Sequence, residues 1–152
     1  MQYSEAKQGR IFVLRLENGE VVHEVLEAFA RTHAIKNAAV MFLGAAQSES
    51  RMVSGPADET VRPMPVNINV LRAASEAVGV GTIFPNATGA PILHMHASFG
   101  HKDTVFTGCI RAGAVIWHVG EAVIFELLDI NGARMPDADS GFELLTFKDE
   151  PK

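Results

Sequence analysis

A chain of 152 residues with 47% hydrophobic residues has enough apolar mass for one domain, and its one cysteine excludes intrachain disulfides and fits a reducing compartment. Thirteen Lys and Arg against eighteen Asp and Glu give a formal charge of −5. That balance argues against a protein that holds nucleic acid through its overall charge, while a local basic patch stays open. Residues 1–7 lack the apolar core of a signal peptide, and the longest apolar run, 38–46, is too short to cross a bilayer. The expectation is a soluble cytoplasmic domain spanning 1–152, with flexible ends at 1–8 and 148–152.

Residues 10–16, rich in Ile, Phe, Val and Leu, predict a strand. Glu17-Asn18-Gly19-Glu20 reads as a turn. Val22, Val25, Leu26, Phe29 and Ala30 then follow helical spacing and predict an amphipathic helix over 20–33 whose apolar stripe is core. Residues 37–43 predict a buried strand ending at Gly44, and 47–53 another. Gly55-Pro56 and Arg62-Pro63 punctuate a loop. Residues 66–71 alternate with period two, 77–84 predict a further strand, and 85–91 a loop. Strands follow closely at 92–99, 104–110, 114–119, 122–128 and 143–147. One early helix and many closely spaced strands predict an α+β domain on a mainly antiparallel sheet.

Several motifs carry nothing. Gly79-Val80-Gly81-Thr82 lacks the third glycine and the helix of a dinucleotide fingerprint, so these read as strand glycines. Asn86-Ala87-Thr88 reads as a loop. Ser75, Ser98 and Ser140 sit in no nucleophile elbow. The six methionines are scattered as core filling.

Chemistry concentrates in Pro91-Ile92-Leu93-His94-Met95-His96 and its continuation to Cys109. On a strand, His94 and His96 face the same way, about 7 Å apart, and can share one ion. If Gly100 faces Asp103 across a turn, His94 lies opposite Cys109 and His96 opposite Thr107. Two imidazoles and a thiolate then meet, a set that suits zinc. A second hairpin at 111–114 would pair Cys109 with Ile116 and Thr107 with His118, making His118 a neighbour of the site rather than a ligand. The plainer reading is a polar pair on a half-exposed face beside a small buried cysteine. His23, His33 and His101 read as ordinary surface and turn residues, and Glu121 has no assigned place.

The motifs taken together resemble the plant-and-prokaryote conserved (PPC) domain family over nearly the whole chain. They are Gly9-Arg10-x-Phe12-x-Leu14-Arg15-Leu16-x-x-Gly19-Glu20, then Gly44-Ala45, His94-x-His96-Ala97-Ser98, Thr107-Gly108-Cys109 and Glu121-Ala122-Val123-Ile124. The resemblance implies an α+β subunit that assembles into homotrimers. It also implies a metal, usually zinc, held by His94, His96 and a third ligand at Cys109, where the family pattern has histidine. The family is commonly labelled DNA-binding because plant members join the domain to AT-hooks. This chain has no Arg-Gly-Arg-Pro hook, and tight intrinsic DNA binding is not expected. Two functions follow: a trimeric binding or regulatory module with a possible small ligand, or a small zinc enzyme using a metal-bound water as a hydrolase or lyase.

Overall fold

The structure is a computed structural model that describes residues 1–147. In chain order the described elements are β1 (Lys7–Leu16), α1 (Val22–Thr32), β2 (Ala38–Ala46), β3 (Arg51–Pro56), β4 (Val66–Val70), β5 (Ser75–Pro85) and β6 (Pro91–His101). There follow β7 (Thr104–Cys109), a 3-10 turn (Ile110–Ala112), β8 (Ile116–Leu128), β9 (Gly132–Pro136) and β10 (Glu143–Phe147). Eight strands form one sheet in the order β1-β8-β2-β5-β6-β7-β3-β4, and every pairing between named strands in it is antiparallel. β9 and β10 make a separate hairpin. The α+β class on an antiparallel sheet is therefore as expected. The tail 148–152 lies outside the described residues.

The helix forms where the apolar stripe predicts it, one or two residues shorter at each end. Its N-cap, Val21, makes no side-chain cap. A helix of eleven residues is marginal alone, so tertiary packing must hold it. Val22, Leu26 and Ala30 join a core with Val40, Ile83, Leu93, Met95 and Ile124. Full burial of a Leu-sized side chain contributes about 1.5–3 kcal/mol. Glu27 turns inward as well. Its Oε1 accepts the Leu93 N–H at 2.8 Å and meets Arg111 Nη1 at 2.8 Å, clasping helix to sheet.

Where the strands differ from expectation, the turns are the cause. The expected strand over 47–53 starts only at Arg51, because Glu49 takes a left-handed φ of 67°. The two strands expected at 114–119 and 122–128 are one, β8. It bends without breaking where Gly120 faces Gly44, whose φ is 153°. A Cβ on Gly44 would collide with the Val119 carbonyl oxygen, so glycine permits the close crossing. The expected loop from residue 54 is partly strand, since β3 runs to Pro56 and pairs β4. The strand β9 has no counterpart in the sequence reading.

Two register expectations are corrected. The β6–β7 turn has the expected length but sits one residue further along: His101 pairs with Thr104, leaving Lys102 (φ 52°) and Asp103 as the two-residue loop. Cys109 therefore faces His96 rather than His94, and Thr107 faces Ser98, with their hydroxyls 2.8 Å apart. The second hairpin at 111–114 does not form. The 3-10 turn and Gly113, at φ 113°, lead the chain away, and β8 pairs with β1 and β2 instead. His118 is thus separated from β6 by β2 and β5 and is not a neighbour of the site.

Candidate metal centre

Strand alternation sorts β6 cleanly. Leu93, Met95, Ala97 and Phe99 are buried beneath α1, whereas His94 and His96 are exposed on the opposite, outer face. The register error was an even number of residues, so Cys109 kept its face. The ligand atoms of His94, His96 and Cys109 all lie within 4.8 Å of one another. Among the described residues they are the one such group, and His23, His33, His101 and His118 join none.

The two imidazoles approach with Nε2 atoms 3.2 Å apart and ring planes at 74°. A tetrahedral ion with Zn–N bonds of about 2.0–2.1 Å needs its nitrogens roughly 3.3 Å apart, so the pair fits zinc as it stands. The donor set of two nitrogens and one sulfur fits the same ion, and three protein ligands leave one coordination position for something else.

Charge around the triad favours the ligating state. Partial burial holds the His94 imidazole below its ordinary pKa, and repulsion from Arg134, His96 and Arg111 adds to the effect. Both effects favour the neutral form of the His94 imidazole, the form that ligates a metal.

Two flanking residues were missed in the sequence. Thr82 on β5 pairs with His94 and shares its face. Arg134 on β9 donates from Nη2 to Thr82 Oγ1 at 2.9 Å. Only 5% of Arg134 is exposed. No local pattern marks it, because β9 reaches the site by packing and its five residues carry no clear periodicity. Arg111 is nearby too, but it is already engaged by Glu27 and the Leu93 carbonyl.

The triad lies in a row of side chains that crosses the outer face through Val13, Val123, Met41, Val80, His96 and Cys109 and on to Val53. Val13, Met41, Leu43, Val78 and Val80 on this face are between 53% and 79% exposed. A contiguous apolar surface thus abuts the two histidines. No helix among the described residues is long and apolar enough to cross a membrane.

Comparison with solved structures places the same fold in several organisms. A plant- and prokaryote-conserved protein of Pyrococcus horikoshii superposes with a TM-score of 0.83 at 21% identity, covering 100% of both chains. A metal-containing protein of Archaeoglobus fulgidus gives 0.84 at 21% identity, over 96% of this chain and 99% of that one. A protein of Bacteroides thetaiotaomicron named as a putative DNA binding protein gives 0.77 at 17% identity, over 95% and 99%. No curated protein matches the sequence significantly. The model of the Plants and Prokaryotes Conserved (PCC) domain matches residues 3–128, so the chain belongs to that family.

Proposed function

We propose that this protein is a homotrimeric binding or regulatory module that holds zinc through His94, His96 and Cys109. The observation that carries the reading is the convergence of three donor atoms within 4.8 Å on adjacent strands, with an Nε2–Nε2 spacing of 3.2 Å. The metal-containing relative with the same fold supports it. The exposed apolar face beside the triad supports self-association, because surfaces of this kind mark interaction sites. Among the described residues no carboxylate joins the triad, which favours a binding module over a hydrolase or lyase.

Zinc titration of chelator-treated protein tests the metal. One equivalent per chain, lost in His94→Ala, is the expected result, and no saturable uptake by the wild type overturns it. Association with DNA fits the family label and the name of one relative. The −5 charge predicts that it runs through a partner rather than through this chain alone. The isolated protein is expected to show no sub-micromolar duplex binding at physiological salt in a fluorescence anisotropy titration. Tight binding that falls steeply with added salt overturns that expectation.

A further inference from the structure

We infer that Arg134, held against Thr82 beside the histidine pair, anchors a binding site for a small oxyanion. The argument begins with an imbalance. Arg134 is 5% exposed, yet no carboxylate among the described residues lies within ion-pair distance of it. Its recorded bonds run from Nη2 to Thr82 Oγ1 at 2.9 Å and to the Thr82 carbonyl oxygen at 3.5 Å, and Nε is buried with no partner. The half-buried Arg111, by contrast, is matched by the Glu27 carboxylate at 2.8 Å, and even the exposed Arg10 has Glu126. Buried charges are ordinarily paired, so an arginine whose acceptors among the described residues are one hydroxyl and one carbonyl is short of its counter-ion.

The geometry says where that counter-ion belongs. Thr82 and His94 are directly opposed across β5 and β6, so the hydroxyl that orients Arg134 shares the face of the triad. Burial and the neighbouring Arg111 charge hold the Arg134 guanidinium below its ordinary pKa, with Glu143 and Cys109 opposing that shift, so a further negative charge there would be favoured. Glu143 lies outside ion-pair distance and does not close the site. An ion on the triad adds positive charge at the same place and has a free coordination position. The inference rests on the metal reading for that second charge, and on Arg134 for the first. Carboxylate and phosphate groups share the required chemistry, two or more acceptor oxygens for a planar cationic fork.

The test is titration calorimetry of the zinc-loaded full-length chain with inorganic phosphate and, separately, with acetate, which distinguishes the two sources of the oxyanion. At least one is expected to bind saturably. Arg134→Gln is expected to weaken that binding about tenfold or more with zinc stoichiometry unchanged, and Arg134→Lys to weaken it less. Where Arg134→Gln does not fold, Thr82→Val, which removes the orienting hydroxyl, is expected to weaken the same anion. Failure of both anions to bind the wild type overturns the inference, as does undiminished binding by a folded Arg134→Gln. If the wild type takes up no zinc, the metal reading fails by itself. The same titrations on metal-free protein then decide the role of Arg134: binding lost in the variant supports it, and no binding overturns it.

Discussion

A sulfur donor at position 109 gives the proposed ligand set a soft member beside two imidazoles, and that chemistry makes single-residue predictions. His94→Ala and Cys109→Ala each remove a ligand. Each is expected to weaken zinc by more than the roughly 10–100-fold that loss of an outer hydrogen-bond partner costs. Cys109→His, which supplies the histidine of the family pattern, is expected to retain tight binding. Competition with a chromophoric chelator measures all three. Zinc affinity should also fall with pH, since protons compete for imidazole and thiolate. His94 resists that competition to a lower pH than an ordinary histidine, because burial and the flanking arginines depress its pKa.

A second residue-scale prediction concerns Glu126. Arg10 bonds its carboxylate through Nε at 2.7 Å and Nη2 at 2.6 Å, with the Arg10 backbone N–H adding a third bond at 3.0 Å. These bonds hold Glu126 down to about 2, against an ordinary value of 4.5. A carboxylate depressed in the folded state contributes stability that is present above the unfolded pKa and lost as pH falls through the folded one. The window is therefore about pH 4.5 down to 2. Glu126→Gln is expected to flatten the acid dependence of thermal unfolding in that window, as read by circular dichroism. An unchanged acid slope counts against the assignment.

At the scale of elements, the β6–β7 hairpin and its neighbour β3 decide where the thiol sits. Val53 pairs with Cys109, and a Cβ on Gly108 would strike the Val53 carbonyl oxygen. Glycine at 108 thus lets β3 lie close against β7 at the position before Cys109, the proposed ligand. Gly108→Ala is expected to push β3 away, lower the unfolding midpoint and weaken zinc, with Cys109 more rapidly alkylated. Unaltered alkylation and zinc affinity in a folded Gly108→Ala variant count against this role. On the other face of β6, Leu26→Ala should cost about 2–5 kcal/mol, because Leu26 has no exposed surface and leaves a cavity in the core. Denaturant unfolding reads that loss. The helix and the buried face of β6 were legible in the sequence because period 3.6 and period two are local patterns. The hairpin register was not. Gly100 looked like a turn residue, yet the strands continue through it and the loop falls on Lys102 and Asp103.

For the whole molecule, the outer face of the sheet is the feature that one chain leaves unexplained. Val80 and Met41 pair across β5 and β2 at its centre, both more than half exposed. If three chains associate through this face, Val80→Glu places an uncompensated charge in the contact and is expected to yield monomer. Light scattering on a sizing column measures the mass directly: three chains for the wild type, one for the variant. A wild-type monomer at micromolar concentration overturns the assembly. Because Val80 opposes His96, such an assembly also brings the metal centre to the edge of the contact.

The sequence by itself determined the class of fold, the buried stripe of the helix and the common face of His94 and His96, since each follows from spacing along a few residues. It also placed Cys109 on that face, because a register error of two residues preserves side-chain parity. Only the tertiary structure decided the rest. Whether β8 paired with β7 or with β1 and β2 depended on the 3-10 turn at Ile110–Ala112, a bend of three residues that sends thirteen others across the sheet. Arg134 reaches Thr82 from 52 residues away. No period announces such a contact, because it is made by packing one hairpin against another sheet, and the energy that selects it is spread over residues distant in the chain.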